Sequence, residues 1–334
     1  MNIARLHRRL ALLGIVAALA LAACARGAAT PPAVPGATPA ATPGIGSARP
    51  LVTSTRGIVA SAHPLAAEAG IAMLRAGGNA VDAAVAAAFA VGVAEPNASG
   101  LGGEGMMVIR LAATGETIAI DYRSTAPAAA RFADRAPDTG YAAAAVPGTV
   151  AGLTLALQRY GTRPLAEVMA PAIRIADEGF LASATLAGVV TENFAGLVED
   201  PGLAAIFCPE GLPLEAGARV RNPELAASLR AIAQGGADVF YRGALAERIA
   251  SASAAGDGFI STADLANYQA IQREPIRGRY RGHDIVSGPP PVAGLAVIEA
   301  LQVLDHFDFG RLAPLSPERV HLTSEALRLA FADY

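Results

Sequence analysis

This sequence is poor in the residues on which several classes of protein depend. Its 334 residues include two cysteines, no tryptophan and 5% aromatic side chains, which excludes a disulfide scaffold and a cysteine-rich zinc site. Charged residues make up only 16%, and 26 basic against 29 acidic side chains give a net charge of −3. No basic surface is therefore available to hold nucleic acid. Apolar residues are abundant at 53%, so the core must consist largely of alanine, leucine, valine and isoleucine in closely packed helices.

Histidines are equally few, and they are scattered. None of them pairs with another at the i, i+4 spacing that places two metal ligands on one helix face. We therefore predict no metal site. The histidines are His7, His63, His283, His306 and His321.

The N-terminus has the pattern of an export signal. Three arginines precede an apolar run over residues 10–23, which is too short to span a bilayer but suits the core of a signal peptide. The run ends in Leu-Ala-Ala-Cys at Cys24, which resembles the bacterial lipoprotein signal, where cleavage exposes a cysteine that is then acylated. We predict a signal peptide over residues 1–23, lipidation at Cys24 and a lipid-anchored location in the bacterial cell envelope, facing the periplasm or the exterior. An ordinary secretory signal with a chance cysteine is the alternative.

Residues 24–50 consist mostly of alanine, proline and other small residues. Such a segment cannot bury enough apolar surface to offset the entropy lost on ordering, so it is predicted to be a linker. If Cys24 is acylated, Cys208 has no disulfide partner and stays a free thiol. Residues 51–334 then form one helix-rich α/β domain.

Helical apolar spacing dominates this domain. Asn79 is placed to cap a helix over residues 80–93 that is apolar on all sides except at Asp82, as expected of a buried helix. Residues 106–111 and Thr117–Tyr122 predict a hairpin, and residues 280–286 a further strand. The other helical segments are one that opens at Pro64 and ends at Gly77, and those over residues 150–160, 165–178, 225–233, 245–252, 292–304 and 320–331.

A glycine-rich loop separates the buried helix from the hairpin. Its Gly100, Gly102 and Gly105 formally match the G-x-G-x-x-G fingerprint of dinucleotide-binding proteins. That fingerprint requires a strand before it and a helix after it, whereas here a helix precedes and a strand follows. We predict no nicotinamide or flavin at this loop and no cofactor elsewhere. The glycines either permit a tight turn or contact a ligand directly.

Arg123 is the most informative single charge, because it ends an apolar strand just beyond the glycine-rich loop. A guanidinium offers a rigid fork of donors that matches a carboxylate bidentately. Arg123 is therefore a candidate for binding the carboxylate of a substrate. The alternative is an ordinary surface pair between Asp121 and Arg123.

Several short motifs follow one another in a fixed order along residues 51–334. They are GGNAVDAAVA at 77–86, LGG at 101–103, DYR at 121–123 with AP at 126–127, VPGT at 146–149, YG at 160–161, PA at 171–172, GF at 179–180, FYxG at 240–243, DLxxY at 264–268 and HxxxEA at 321–326. Their order and spacing resemble those of the γ-glutamyltransferases, also called glutathione hydrolases.

The resemblance implies an N-terminal-nucleophile hydrolase of the α/β (α+β) class with an αββα sandwich. This chain would be the helix-rich large-subunit part, incomplete without the small subunit from the same precursor. Such a precursor cuts itself and exposes a threonine, which takes a γ-glutamyl group from glutathione or another γ-glutamyl compound and passes it to water, an amino acid or a peptide. The resemblance assigns Arg123 to the α-carboxylate of that group. It places the threonine beyond Tyr334, so no catalytic residue is predicted in this chain.

The chain departs from the family pattern at several positions. Ser124 stands where glutamate is usual, Glu104 interrupts a run that is normally all glycine, and Met106 replaces phenylalanine. The segment PVAG at residues 291–294 replaces a more usual Ser-Ser-Gly-Gly. Glu104 adds a negative charge near the expected pocket, so a related acylase with another acyl specificity stays an alternative. A truncated, non-catalytic surface lipoprotein or binding module is the other alternative.

Overall fold

Helices and short antiparallel strands alternate along the chain. The computed structural model describes residues 51–334, apart from Ala133, Asp134 and Ala136. Residues 53–334 cluster as one unit. The predicted signal peptide, the linker and Cys24 lie outside the described residues.

The strands are β1 (Gly105–Arg110), β2 (Thr117–Tyr122), β3 (Phe180–Leu181), β4 (Arg219–Val220), β5 (Ile271–Arg273), β6 (Ile276–Tyr280) and β7 (His283–Ser287). The helices are α1 (Pro64–Arg75), α2 (Ala80–Ala94), α3 (Thr149–Tyr160), α4 (Leu165–Glu178), α5 (Ala184–Glu192), α6 (Phe194–Glu199), α7 (Pro201–Phe207), α8 (Pro223–Gly235), α9 (Ala237–Tyr241), α10 (Ala244–Ala255), α11 (Thr262–Asn267), α12 (Gly294–Leu304) and α13 (Pro317–Asp333).

Helix α2 begins at a capping box, and Asn79 is its N-cap residue, as the sequence predicted. The Asn79 side chain accepts hydrogen bonds from the backbone N–H groups of Val81 and Asp82, and the Asp82 carboxylate accepts one from the Asn79 N–H at 2.7 Å. These reciprocal bonds satisfy donors that have no partner within the helix. Most of α2 is buried, which explains why its sequence is apolar all round.

The Asp82 carboxylate also fastens α2 to the segment after α3. It is fully buried and accepts hydrogen bonds from the Thr162 N–H at 2.8 Å, the Thr162 hydroxyl at 2.6 Å and the Arg163 N–H at 3.0 Å. Burial opposes ionisation, but these bonds outweigh it, so the pKa of Asp82 lies below its usual value. One carboxylate thus joins two parts of the core that are 80 residues apart in sequence.

Three antiparallel strands, in the order β1-β2-β5, form the largest sheet of the described chain. The register pairs Gly105 with Tyr122 and Arg110 with Thr117, so β1 and β2 form the predicted hairpin. Strand β5 pairs with the other edge of β2 through Ala119 to Asp121. Strands β6 and β7 form a second hairpin, and β3 pairs with β4.

Helix α3 packs unusually close to strand β2, because glycines face the strand. A Cβ atom added at Gly152 would lie 2.1 Å from Cγ of Tyr122, and one added at Gly148 would lie 2.0 Å from the Tyr122 carbonyl oxygen. Any side chain at either position would push the helix away. Tyr122 is the last residue of β2, so this contact fixes the end of the strand that precedes Arg123.

Two hydrophobic clusters lie in the described chain. The larger one joins α1–α4, α8–α11 and the β1–β2 hairpin, and its fully buried side chains include Ile120, Leu153, Met169, Leu229 and Ile232. The smaller one lies between α12 and α13, with α12 also packed on β6. Helices therefore cover both the β1-β2-β5 sheet and the β6–β7 hairpin.

The strand predicted over residues 280–286 is wrong in one respect. The segment is a hairpin turn with part of each of its two strands, because Arg281 and Gly282 both have positive φ, at 50° and 80°. Two successive residues of this conformation reverse the chain tightly.

Cys208 is buried and free of a disulfide in the structure. It caps the C-terminal end of α7, one of the short helices that the sequence did not predict. The free thiol predicted for Cys208 depends on acylation of Cys24, which lies outside the described residues, so it stays a prediction.

Candidate substrate-binding site

The candidate site lies at the open end of the β1–β2 hairpin. Glu104 immediately precedes β1, and Arg123 immediately follows β2. Since Gly105 is paired with Tyr122, the next residue on each strand is brought to the same end of the sheet. Two residues that are 19 positions apart thus become neighbours through the strand register.

Arg123 and Glu104 form an ion pair. Nη1 of Arg123 lies 2.6 Å from Oε1 of Glu104, and the two side chains are 40% and 31% exposed. The other carboxylate oxygen, Oε2, accepts hydrogen bonds from the N–H of Ser124 at 2.6 Å and from its hydroxyl at 2.5 Å. The residues at two of the sequence departures, Glu104 and Ser124, therefore bind each other directly.

Glu104 carries its negative charge at neutral pH. Partial burial opposes ionisation, but the two hydrogen bonds from Ser124 and the positive charge of Arg123 outweigh it, while Asp121 acts in the opposite sense. The pKa of Glu104 consequently lies below its usual value.

Asp121 binds a different arginine from the one that the sequence suggested. Its Oδ2 pairs with Nη1 of Arg273 on β5 at 2.9 Å, and its Oδ1 accepts the backbone N–H of Arg123 at 3.0 Å. Arg273 also donates to the carbonyl of Pro290 at 2.6 Å. The alternative of an Asp121–Arg123 side-chain pair is therefore wrong, and Asp121 instead positions the Arg123 backbone.

Two stacked tyrosines support the same backbone. Tyr268 donates a hydrogen bond to the carbonyl of Arg123 at 2.8 Å, and its ring stacks on that of Tyr241 at 5.5 Å between centroids. Tyr241 donates to the carbonyl of Pro147 at 2.8 Å. Burial, with the charges of Asp121 and Glu104, raises the pKa of Tyr268, so its hydroxyl stays protonated and can donate.

Sequence reasoning missed the roles of these tyrosines. Tyr241 and Tyr268 belong to two of the motifs that carried the family resemblance, but nothing in their spacing shows that they meet. The presence of both tyrosines in motifs that carry the family resemblance is the signal that could have drawn attention to them.

The glycine-rich loop packs closely against helices α2 and α3. The Gly103 carbonyl accepts hydrogen bonds from the N–H groups of Gly148 at 2.9 Å and Thr149 at 3.1 Å, so the loop is docked on the first turn of α3. A Cβ atom added at Gly92 of α2 would lie 3.0 Å from Cα of Gly100. The loop follows a helix and precedes a strand, as predicted, and its glycines permit close approach to two helices.

Arg123 keeps donors that a ligand could use. The Arg123 side chain is 40% exposed, although its Nε is buried and has no hydrogen-bond partner among the described residues. A guanidinium has five N–H donors, and Glu104 is the one carboxylate recorded against it in this part of the chain. The geometry suits the binding of a further carboxylate by the predicted residue.

Neither a metal centre nor a membrane span emerges from residues 51–334. No group of three or more metal-ligating side chains occurs in the described residues. The helices of that same part of the chain lack either the length or the apolar character needed to cross a bilayer.

Comparison with known proteins defines the family of this chain. The model of the family described as gamma-glutamyltranspeptidase matches residues 66–334. The chain belongs to this family. The resemblance seen in the sequence motifs is thereby confirmed.

The γ-glutamyltranspeptidase family here includes relatives with different names. The Acylase ACY 1 proenzyme of Pseudomonas sp. (strain V22) is 45% identical over 298 residues, covering 84% of this chain and 53% of that protein. The Glutathione hydrolase proenzyme of Escherichia coli (strain K12) is 40% identical over 330 residues, covering 95% of this chain and 56% of that protein. The chain spans about half the length of these curated relatives.

A solved structure supports the same conclusion for the fold. The crystal structure of the Helicobacter pylori γ-glutamyltranspeptidase matches with a TM-score of 0.81 and 36% identity, over 85% of this chain and 84% of that chain. The predicted fold class, the α+β fold of the N-terminal-nucleophile hydrolases, is confirmed.

Proposed function

We propose that this chain supplies the carboxylate-binding part of a γ-glutamyltransferase or glutathione hydrolase. The enzyme transfers a γ-glutamyl group from glutathione or a related γ-glutamyl amide to water, an amino acid or a peptide. The observation that carries the proposal is the partly exposed guanidinium of Arg123, held at the open end of the β1–β2 hairpin beside the glycine-rich loop. Membership of the γ-glutamyltranspeptidase family supports it.

Arg123 would orient the donor by its α-carboxylate. Two parallel N–H···O bonds fix both the position and the direction of a carboxylate, so the γ-carbonyl of a bound γ-glutamyl amide is placed at a set distance from the arginine. Asp121, Tyr268 and the β-sheet hold the Arg123 backbone. Positioning of this kind lowers the entropic part of the activation barrier.

The reaction itself is an acyl transfer with a threonine as nucleophile. The threonine oxygen forms an ester bond to the γ-carbonyl carbon, the C–N bond of the amide breaks, and the amine leaves with the proton from the hydroxyl. Water or an acceptor amine then attacks the ester, and the threonine hydroxyl is restored. A free α-amino group on the threonine can act as the base.

We propose that this threonine heads a small subunit cut from the same precursor. Two of the curated relatives are named as proenzymes and are about twice as long as the part that this chain matches. Helices α12 and α13 also expose an apolar surface, which suits a protein interface. Its residues are Leu295, Val297, Val320, Leu327 and Phe331.

An acylase with another acyl specificity is the second candidate function. The observation that favours it is the carboxylate of Glu104 at 2.6 Å from the guanidinium of Arg123, because a charge at that point changes which acyl group the arginine attracts. The acylase relative at 45% identity is consistent with this candidate.

We also propose that the protein is a lipid-anchored component of the bacterial cell envelope. The arginines, the apolar run over residues 10–23 and the Leu-Ala-Ala-Cys sequence ending at Cys24 support it. The intact mass of the protein isolated from its membrane tests the proposal, because acylation of Cys24 adds the mass of the lipid.

Substitution of Arg123 tests the carboxylate-binding role. In the complete, processed protein, we expect Arg123→Ala to lower kcat/KM for a γ-glutamyl amide by about a hundredfold, because a charge-assisted bidentate contact is lost. Arg123→Lys should also lose most of the activity, since an ammonium cannot reproduce the fork. The measurement is the rate of amine release over a range of donor concentrations.

Arg277→Ala is the matched control. Arg277 is exposed on β6, and its replacement removes one positive charge, as Arg123→Ala does. We expect Arg277→Ala to keep the activity of the unmodified protein. Self-cleavage should survive in every variant. An Arg123→Ala protein with an unchanged KM and kcat would contradict the assignment.

A further inference from the structure

Strand β5 contributes one charged side chain to the face of the β1-β2-β5 sheet on which Asp121 lies. The register pairs Arg273 with Ala119, two residues before Asp121, so Arg273 and Asp121 are diagonal neighbours on the same face. We propose that Arg273 is a positioning residue for Arg123 and acts on it through Asp121. The inference rests on the proposed function, because it concerns how Arg123 is held ready for a donor.

The Asp121 carboxylate has its two oxygens bound to different partners. Oδ2 lies 2.9 Å from Nη1 of Arg273, and Oδ1 accepts the backbone N–H of Arg123 at 3.0 Å. The Asp121 side chain is 11% exposed, so little water competes for either oxygen. Because both oxygens belong to one rigid group, the bond to Arg273 fixes the orientation in which Oδ1 meets the Arg123 backbone.

The Arg273 guanidinium is itself held from a second direction, by the segment over residues 288–291. The same Nη1 donates to the carbonyl of Pro290 at 2.6 Å. That segment packs closely on β1, since a Cβ atom added at Gly288 would lie 1.9 Å from Sδ of Met106. One nitrogen atom thus links β5 both to β2 and to the segment that lies against β1.

Arg273 also compensates a negative charge that acts on the candidate site. Burial, together with the charge of Asp121, raises the pKa of Tyr268, and Asp121 opposes the ionisation of Glu104, so the charge of Asp121 extends to both neighbours. Without Arg273, this charge would be left uncompensated in a largely buried position. It would then repel a carboxylate bound at Arg123.

A double-mutant cycle tests whether Arg273 acts through Arg123. The variants are Arg273→Gln, Arg123→Ala and the two combined, each in the complete, processed protein, and the readout is release of p-nitroaniline from γ-glutamyl-p-nitroanilide. We expect Arg273→Gln to lower kcat/KM by about tenfold, mainly through a higher KM, because the contact that orients Asp121 is lost. In the Arg123→Ala background the same change should lower kcat/KM by less than about twofold, since residues that act as a unit are not additive.

Two further variants separate the charge of Arg273 from its shape. Arg273→Lys should stay within about threefold of the unmodified protein, because one nitrogen makes both contacts and an ammonium can replace it. Asp121→Asn combined with Arg273→Gln should recover part of the lost kcat/KM, since the uncompensated charge is removed and an amide oxygen can still accept the Arg123 N–H. If Arg273→Gln does not mature, Asp121→Asn replaces it in the cycle, because it breaks the same ion pair.

Gln272→Ala is the matched control, because Gln272 precedes Arg273 on β5 and binds α3 instead of Asp121. Its side-chain oxygen accepts hydrogen bonds from Arg159 and Tyr160, each at 2.7 Å. The replacement therefore removes contacts between β5 and another element. It should leave kcat/KM unchanged.

The outcomes separate this inference from the proposed function. A loss from Arg273→Gln that is equally large with and without Arg123 overturns the inference alone, because Arg273 would then act on the fold as a whole. An Arg273→Gln protein with unchanged kcat/KM, or an Arg273→Lys protein as impaired as Arg273→Gln, also overturns it alone. An unchanged Arg123→Ala protein, or an unmodified protein that does not use the donor, overturns the proposed function and this inference together.

Discussion

At the scale of single residues, a buried acid joins separate parts of the described core. Asp82 is fully buried, and its carboxylate receives hydrogen bonds from Asn79, Thr162 and Arg163. A buried charge is tolerated only when such partners replace the water that it has lost. The helix that looked uniformly apolar in sequence is thus fixed in place by its single charged side chain.

Replacement of Asp82 should therefore be costly. We expect Asp82→Asn to lower the free energy of unfolding by about 2–4 kcal/mol, because an amide group turns donors toward N–H groups that need an acceptor. The measurement is urea unfolding at neutral pH. Asp257→Asn, at an exposed position, is the control and should change stability by less than about 0.5 kcal/mol.

The same carboxylate predicts a dependence on pH. Since the pKa of Asp82 is lowered by folding, its contribution is fully present above its pKa in the unfolded chain and is lost as the pH falls through its pKa in the folded chain. Acidification should therefore narrow the difference in stability between the unmodified protein and Asp82→Asn. An equal difference at neutral and strongly acidic pH would contradict this role.

The site was only partly predictable from sequence at this scale. Arg123 could be found because it ends a strand within a recognisable motif, and it lies where expected. Its partner could not be found, since Asp121, two residues away on the same strand, was the obvious candidate. In the structure, Asp121 forms an ion pair with Arg273, which is 152 positions away in the sequence. No local sequence pattern predicts such a contact.

At the scale of elements, the contact between α3 and β2 depends on the absence of side chains. Gly148 and Gly152 allow the helix to lie directly on Tyr122. The helix N-terminus also docks the glycine-rich loop through the Gly103 carbonyl. One helix therefore positions both sides of the candidate site.

Addition of a single methyl group should disturb this contact. A Cβ atom at Gly152 would lie 2.1 Å from Tyr122, so we expect Gly152→Ala to destabilise the protein by about 1–3 kcal/mol and to lower donor turnover by displacing β2. Gly188→Ala is the control, because Gly188 lies within α5 with no atom near its missing Cβ.

The change in stability of the control variant should have the opposite sign to that of Gly152→Ala. Alanine is favoured over glycine inside a helix by about 1 kcal/mol, so Gly188→Ala should raise the thermal unfolding midpoint. Equal shifts in the two variants would show that helix propensity, and not the contact with Tyr122, determines the effect at Gly152.

The sequence predicted long elements better than short ones. Helices α2, α3 and α4 lie close to their expected bounds, because α2 begins at the Asn79 cap and α3 and α4 repeat their apolar pattern over at least three turns. Helices α6, α7, α9 and α11 have five to seven residues, which is too short for a helical period to register. For α7 and α11, the capping residues Asp200 and Ser261 were the remaining signal.

At the scale of the whole molecule, the proposed maturation makes a simple prediction about mass. Protein isolated from its native membrane should separate into two chains on a denaturing gel. One should begin with threonine, and the other should carry a lipid on Cys24. Intact-mass measurement and N-terminal sequencing check both features at once.

Each part of that prediction can fail separately. A single uncut chain would favour the non-catalytic surface lipoprotein or binding module. Two chains without a lipid would leave the enzyme proposal standing and favour an ordinary secretory signal instead. A Cys24→Ser variant released from the membrane fraction would provide the matching control for the anchor.

Glu104 lies just before β1 and Arg123 just after β2, and these positions separate the candidate site from the core. Both side chains leave the hairpin at its solvent-accessible end, whereas the strands between them contain the buried Ile118 and Ile120. Under the proposed function, mutations at the two end positions can therefore change the charge offered to a substrate with little effect on the core. On that proposal, substrate choice can change at this end of the sheet while the remainder of the hairpin preserves the ability to fold.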